Sequence, residues 1–116
     1  MVYNINKCTS IGNEAFWECK SLQNIDISSC SYLGGFAFDG CTNLITVKLK
    51  PGIELMELTF WQCSSLTTVY NLNKCTRIDN EVFMECGSLR NLDVSGANYI
   101  GDGAFYNTSL ETLKLG

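Results

Sequence analysis

The chain of 116 residues has no histidine, a single proline and few charges, with eight Lys plus Arg set against twelve Asp plus Glu. Without histidine the commonest general base is missing, and with it every Ser-His or Cys-His nucleophile pair. Zinc is equally poorly served, since the seven cysteines include no Cys-x-x-Cys spacing and a column of thiols does not present a tetrahedron. The net charge of −4 argues against a phosphate backbone as partner, because that affinity depends on cationic side chains. No apolar run approaches the roughly 18 residues of a membrane span. Met1-Val2-Tyr3-Asn4 runs straight into patterned sequence with no signal-peptide profile. The glycines do not cradle phosphate either: Gly34-Gly35 and Gly101-x-Gly103 lack the lysine of a P-loop and the longer dinucleotide fingerprint. No cofactor is expected.

What the chain does have is a period. Phe16, Phe38, Phe60, Phe83 and Phe105 follow one another at steps of 22, 22, 23 and 22 residues. Five residues before each phenylalanine stands an aliphatic, in turn Ile11, Leu33, Leu55, Ile78 and Ile100. Three residues after it stands Cys19, Cys41, Cys63 or Cys86, with Thr108 in the last copy. Leu22, Leu44, Leu66, Leu89 and Leu110 follow, and then an alternating apolar pair: Ile25 and Ile27, Val47 and Leu49, Leu92 and Val94, Leu113 and Leu115. In the third copy the pair is Val69 and Leu72, spread by one extra residue. A repeat of 20 to 29 residues is one coil of a solenoid, which buries its apolar face only by stacking on copies of itself.

Alternation at period two signals a strand with one face inward. Strands are therefore predicted near 24–28, 46–50, 68–73, 91–95 and 112–115, and Tyr3 with Ile5 adds a sixth. Separated by whole coils, they run parallel along one wall. The Ala-Phe segment lies on the opposite wall, where a run such as 13–19 has room for about one or two turns of α or 3₁₀ helix at 3.6 residues each.

The pattern Ile11-Gly12-x-x-Ala15-Phe16-x-x-Cys19-x-Ser21-Leu22-x-x-Ile25-x-Ile27 and its copies resembles the leucine-rich repeats, specifically their BspA-like class. The resemblance covers essentially the whole chain. It implies one α/β solenoid domain over 1–116, about five coils long, with a parallel sheet on the concave wall and short helical turns on the convex one. It also implies a non-catalytic protein-binding or adhesion scaffold. Met56 and Asp79 depart from the family pattern where the other copies have Gly12, Gly34 and Gly101, so those coils are expected to turn differently.

The cysteines fall into two repeat positions: Cys19, Cys41, Cys63 and Cys86 in one, Cys8, Cys30 and Cys75 in the other. Coils about 4.7 to 4.9 Å apart hold such columns slightly too far apart for disulfides, whose Cβ atoms sit at about 3.5 to 4.5 Å. Buried free thiols that pack as small hydrophobes and donate weakly to turn carbonyls are expected. Free thiols and the missing signal peptide point to the cytoplasm, whereas a fragment of a longer family member would point to a cell surface.

Two surfaces are candidates for partner binding. On the concave wall, Asn24, Thr46, Thr68, Asn91 and Thr112 form one outward column, and Asn6, Ser28, Lys50, Asn73 and Ser95 another. Between them run Asp26, Lys48, Tyr70, Asp93 and Lys114, in which Asp26 beside Lys48 and Asp93 beside Lys114 are predicted cross-strand pairs. Tyr70 sits where the third repeat is one residue longer, a predicted bulge. On the convex wall, Trp17, Phe36, Leu58, Trp61, Met84 and Tyr106 occupy slots flanking the phenylalanines and are the residue types that interfaces favour. The competing expectation is that these large side chains fold over neighbouring turns. The paired carboxylates Glu14 with Glu18 and Glu81 with Glu85 are read as a solvated helix face rather than acid-base machinery, which needs a cleft to separate two pKa values. Both ends of the chain look uncapped. That pattern fits a piece of a longer repeat protein, or copies stacking end to end into oligomers or filaments.

Overall fold

The computed structural model describes residues 2–5 and 7–116, with Val2–Asn4 given by their backbone alone. Asn6, assigned above to an outward column, lies outside the described residues. Eleven short strands are present among the described residues. Six belong to the predicted strand wall: β1 (Val2–Asn4), β3 (Asn24–Asp26), β5 (Thr46–Lys48), β7 (Thr68–Tyr70), β9 (Asn91–Asp93) and β11 (Thr112–Lys114). Each lies within a predicted segment or overlaps it, including the sixth, where Tyr3 pairs with Ile25. All pairings are parallel and in register, coil upon coil.

The other five are two-residue strands that the repeat pattern did not announce: β2 (Ser10–Ile11), β4 (Tyr32–Leu33), β6 (Glu54–Leu55), β8 (Arg77–Ile78) and β10 (Tyr99–Ile100). They contain the aliphatic that precedes each phenylalanine. Their parallel ladders, β2 with β4 and β6 through β8 to β10, build a second wall. A single apolar residue has no period of its own, so alternation had nothing to register.

The expected helices on the third wall do not form. The segment from Gly12 to Cys19 is a run of turns, closed by N–H donation three residues back, as from Trp17 to Glu14 at 3.1 Å and from Cys19 to Phe16 at 3.0 Å. Every second amide instead points to the next coil: Glu14 donates to Gly35 at 3.1 Å, Phe16 to Ala37 at 2.8 Å and Glu18 to Asp39 at 2.7 Å. The same three rungs recur from coil to coil. Phe38 donates to Thr59 at 2.9 Å, Phe60 to Val82 at 3.0 Å and Phe83 to Ala104 at 2.8 Å. A helix directs its amides along its own axis and leaves none for the neighbouring coil. Alternation is achieved by left-handed residues two before and two after each phenylalanine, among them Glu14 (φ 60°), Glu18 (φ 53°), Phe36 (φ 59°), Glu81 (φ 58°) and Glu85 (φ 63°). The glutamates read from sequence as a helix face are thus the residues that prevent one. A left-handed non-glycine residue costs roughly 1–2 kcal/mol, and the inter-coil bond it makes possible returns about 0.5–1.5 kcal/mol.

The core is a single cluster running the length of the stack. Its spine is the phenylalanine column, in which successive rings lie within 4° to 6° of parallel at centroid separations of 5.3, 5.5, 5.5 and 6.0 Å. Beside it the thiols of Cys41, Cys63 and Cys86 donate to the Phe16, Phe38 and Phe60 carbonyls at 3.0, 3.1 and 3.0 Å. The expected donation to turn carbonyls is therefore made, and it ties each coil to the one before. All seven cysteines are free. Five are buried, which shields their thiols from oxidants, so they do not by themselves fix a redox compartment.

Glycine is required at Gly34, where an added Cβ would fall 2.5 Å from the Asn13 backbone nitrogen. Asn13 sends its side-chain oxygen up to accept from the Gly35 amide at 3.1 Å. Gly101 stands in the same relation to Asn80, whose Oδ1 accepts from Asp102 at 2.9 Å. Met56 and Asp79 occupy the same repeat position in coils that follow Gly35 and Glu57 instead of that asparagine.

Candidate functional site

The strand wall is regular except at one junction. At β3–β5, β5–β7 and β9–β11 the pairing is framed by three further bonds, for example Thr67 and Thr68 N–H to Ile45 at 3.0 and 3.3 Å below and Leu49 N–H to Tyr70 at 3.1 Å above. Between β7 and β9 no pairing forms, each strand ending its sheet, and the framing bonds have no counterpart. The cause is the extra residue of the third repeat. Asn71 adopts the left-handed conformation (φ 70°) and starts a 3₁₀ turn, Leu72–Lys74. Its side-chain amide donates to the Leu49 carbonyl at 2.8 Å, holding the diversion against the preceding coil. Left-handed backbone is a conformation that asparagine tolerates better than most residues. The predicted bulge is therefore a break. A cleft of about 520 Å³ opens there, lined by Thr68, Val69, Leu72, Arg90, Asn91 and Asp93 among others.

Of the central column predicted for this wall, Asp93 lines the cleft. Tyr70 is 54% exposed and pairs in register with Lys48. Asp93 stands on the far lip and pairs with Lys114, as Asp26 does with Lys48. The predicted Asp–Lys ion pairs do not form. Among the described residues the one salt bridge joins Arg77 to Asp79 at 3.7 Å. Asp26 instead accepts from the Ser28 hydroxyl at 2.6 Å and the Ser28 amide at 2.9 Å, and these bonds, with a smaller share from Lys48, hold its carboxyl below the usual range. Ser95 does the same for Asp93. Two residues on, a serine reaches a carboxylate more closely than a flexible lysine across the strand. The first column is tied by hydroxyl donation, from Thr46 to Asn24 at 2.5 Å and from Thr112 to Asn91 at 2.7 Å.

On the phenylalanine wall the predicted strip is interrupted. Trp17 (55%) and Tyr106 (58%) are exposed but lie on the first and last coils. Phe36, Leu58, Trp61 and Met84 are half-buried against their neighbours. Between Trp17 and Trp61 sits Asp39, a carboxylate only 6% exposed. Burial pushes its pKa up, a hydrogen bond from Trp17 pulls it down, and Glu18 and Glu14 add to the rise. The Trp61 indole N–H is buried and has no hydrogen-bond partner. On the second wall the Arg77 guanidinium lies 4.0 Å over the Tyr99 ring. Sequence reasoning singled out neither that pair nor the cleft residues Asn71 and Arg90, for isolated polar side chains in a repeat give no signal until register brings them together. Among the described residues no group of three or more His, Cys, Asp and Glu is placed to hold a metal ion. No helix among them is long and apolar enough to cross a membrane.

Residues 6–116 match the profile of the BspA type leucine-rich repeat region, in six copies. Among solved structures, the chain is similar to the leucine-rich repeat protein TpLRR of T. pallidum, with 32% identity and a TM-score of 0.82 over 90% of this chain and 51% of that one. It is also similar to a leucine-rich cell surface protein of Faecalibacterium prausnitzii, at 29% identity and a TM-score of 0.80, covering 93% of this chain and 31% of that one. A leucine-rich repeat protein of Bacteroides ovatus matches at 25% identity and a TM-score of 0.67, over 98% of this chain and 32% of the other. The chain thus spans from about a third to about half of the length of these proteins. A search of curated proteins gave no match.

Proposed function

The chain belongs to the BspA-type leucine-rich repeat family, and from that premise we propose that it is a non-catalytic protein-binding scaffold whose partner docks on the strand wall, around the cleft between β7 and β9. The observation that carries this reading is the single interruption of an otherwise regular wall, with β7, the strand that carries exposed Tyr70, on one side and Arg90 and Asp93 lining the other. Tyrosine and arginine are the residues most often found at the energetic centre of interfaces. Lys48 and Lys114, beside Tyr70 and Asp93 in register, supply the charged margin that steers a partner. In a longer parent displayed at a cell surface, such a wall serves adhesion. The phenylalanine wall is the weaker surface, since its apolar side chains are divided between the two ends and a covered middle.

The test is affinity capture with the wild type, with Tyr70→Ala/Lys48→Glu, and with Trp17→Ala/Tyr106→Ala. Loss of a captured partner with the first variant and retention with the second supports the strand wall. The reverse pattern moves the site to the phenylalanine wall.

A second reading, copies stacking end to end, is favoured by Ile100, Leu113 and Leu115, which lie exposed on the last coil. Sedimentation across concentration tests it. A single species of one chain's mass at high micromolar concentration removes it.

A further inference from the structure

We propose that the cleft between β7 and β9 binds an extended peptide that completes the interrupted sheet, entering as an added strand with one aliphatic side chain seated between Val69 and Leu92. The inference rests on the strand wall being the docking surface and specifies what that surface takes.

Two independent features of the cleft describe its occupant. The first is backbone. The bonds that frame the other junctions would here have joined the Thr67 carbonyl to the Arg90 and Asn91 amides and the Asn71 amide to the Asp93 carbonyl. These groups stand on opposite lips, each lip offering both donor and acceptor. An extended polypeptide presents donors and acceptors along both of its edges and is suited to serve two lips at once. The three-residue lips call for a peptide segment of matching length, about 10 Å at 3.3 Å per residue.

The second feature is the inward column. Ile25 and Val47 are buried in the regular coils, whereas Val69 is only half-buried, and Val69, Leu72 and Leu92 all line the cleft. Apolar surface of Val69 is thus left uncovered at the junction where β9, with Leu92 on its own lip, does not pair with β7. A residue such as valine or isoleucine at the centre of the added strand covers it, while its polar neighbours point outward beside Tyr70 and Asp93. The lining is mixed in charge, with Arg90 against Asp93, which favours flanking residues of small polar type over a run of one sign.

The probes are acetylated, amidated pentapeptides with Val or Ile at the centre and Thr or Ser on either side, titrated into the protein with amide chemical shifts followed by NMR. Each is paired with its analogue N-methylated at the central residue, which keeps the side chain and removes one strand donor. The protein variant is deletion of Asn71, which restores the 22-residue step and allows β7 to pair with β9. The expected results are saturable shifts confined to residues 67–73 and 88–93, at least tenfold weaker binding of the methylated peptides, and at least tenfold weaker binding to the deletion variant. A deletion variant that fails to fold leaves the methylated pair as the deciding comparison. Equal binding of methylated and unmethylated peptides overturns the proposal, as does the absence of binding by any of them. Shifts at the cleft with chitopentaose but not with peptides also overturn it, in favour of a carbohydrate. A captured protein partner that binds wild type and a folded Asn71 deletion alike overturns the added strand while leaving the strand wall as docking surface.

Discussion

The ring of Phe38 lies parallel to that of Phe60, 5.5 Å away and inclined by 4°. Since Phe60 stacks equally on Phe83 at 5.5 Å, the ring at position 60 touches partners on both sides and is fully buried. Truncating it opens a cavity at mid-stack and interrupts the spine. Phe60→Ala is expected to lose about 3–5 kcal/mol in urea unfolding. Phe16→Ala, half-buried on the first coil with Phe38 as its stacked ring, is expected to lose distinctly less. Equal losses would mean that the rings do not form a continuous column.

Glu18 separates the turn architecture from a helical one. At φ 53°, glycine relieves left-handed strain of roughly 1–2 kcal/mol and adds an unfolded-state entropy cost of about 0.5–1 kcal/mol. Glu18→Gly is expected to be neutral or more stable by up to about 1.5 kcal/mol. In a helix the same change would lose close to 1 kcal/mol, so the sign of the shift in melting temperature decides.

Gly34 and Gly12 share one repeat position and predict opposite outcomes. A Cβ at Gly34 meets Asn13 and the Gly12 carbonyl carbon within 2.7 Å, while at Gly12 it meets nothing within 4 Å. Gly34→Ala is expected to destabilise by about 1–3 kcal/mol. Gly12→Ala is expected to stay within about 0.5 kcal/mol of wild type. Thermal unfolding of the two proteins side by side makes the comparison.

The buried thiols give alkaline pH a defined effect. Burial pushes Cys41 from 9.0 up to about 11, and Cys75 and Cys86 up to about 12. Their pKa values are raised in the folded state, so the unfolded chain loses these protons first as pH climbs. Their contribution is fully present below about pH 9 and is lost progressively between pH 9 and about 12. Urea midpoints should fall across that window, and Cys86→Ala should flatten the fall even though it lowers stability at pH 7. Thiol reagents at pH 8 should modify half-buried Cys8 and Cys19 well before Cys63 and Cys86.

The stacking order was legible because it depends on side chains that repeat: the phenylalanine step marks the spine, and the alternating pairs mark six strands, in the expected register at every junction except that of β7 and β9, which do not pair. The turns were not, because what excludes a helix is a backbone bond to the next coil, and no window of a single coil contains it. One hint was present. Gly40 and Asn107 share the slot of Glu18, and Gly103 shares that of Glu14, and glycine and asparagine are the residues that accept left-handed backbone. Likewise the extra residue at Asn71 announced an irregularity. Whether it would bulge within a continuous sheet or split it depended on the conformation of Asn71 and its bond to Leu49, neither of which is written in the spacing. Along the convex strip exposure is uneven because a side chain at mid-stack has a neighbour above and below, whereas Trp17 and Tyr106, on the first and last coils described, each have one.

Amide hydrogen exchange, resolved by residue, tests most directly whether the coils are bonded throughout on the phenylalanine wall and parted at one junction of the strand wall. Slow exchange is expected at Phe16, Phe38, Phe60 and Phe83, which donate to the next coil, and at Leu49 and Thr67 on the strand wall. Fast exchange is expected at Asn71 and Asn91. Protection at Asn71 and Asn91 equal to that at Leu49 and Thr67 would show a closed junction, and rapid exchange at Phe60 and Phe83 would show that the coils are not joined there at all; either result contradicts the structure described.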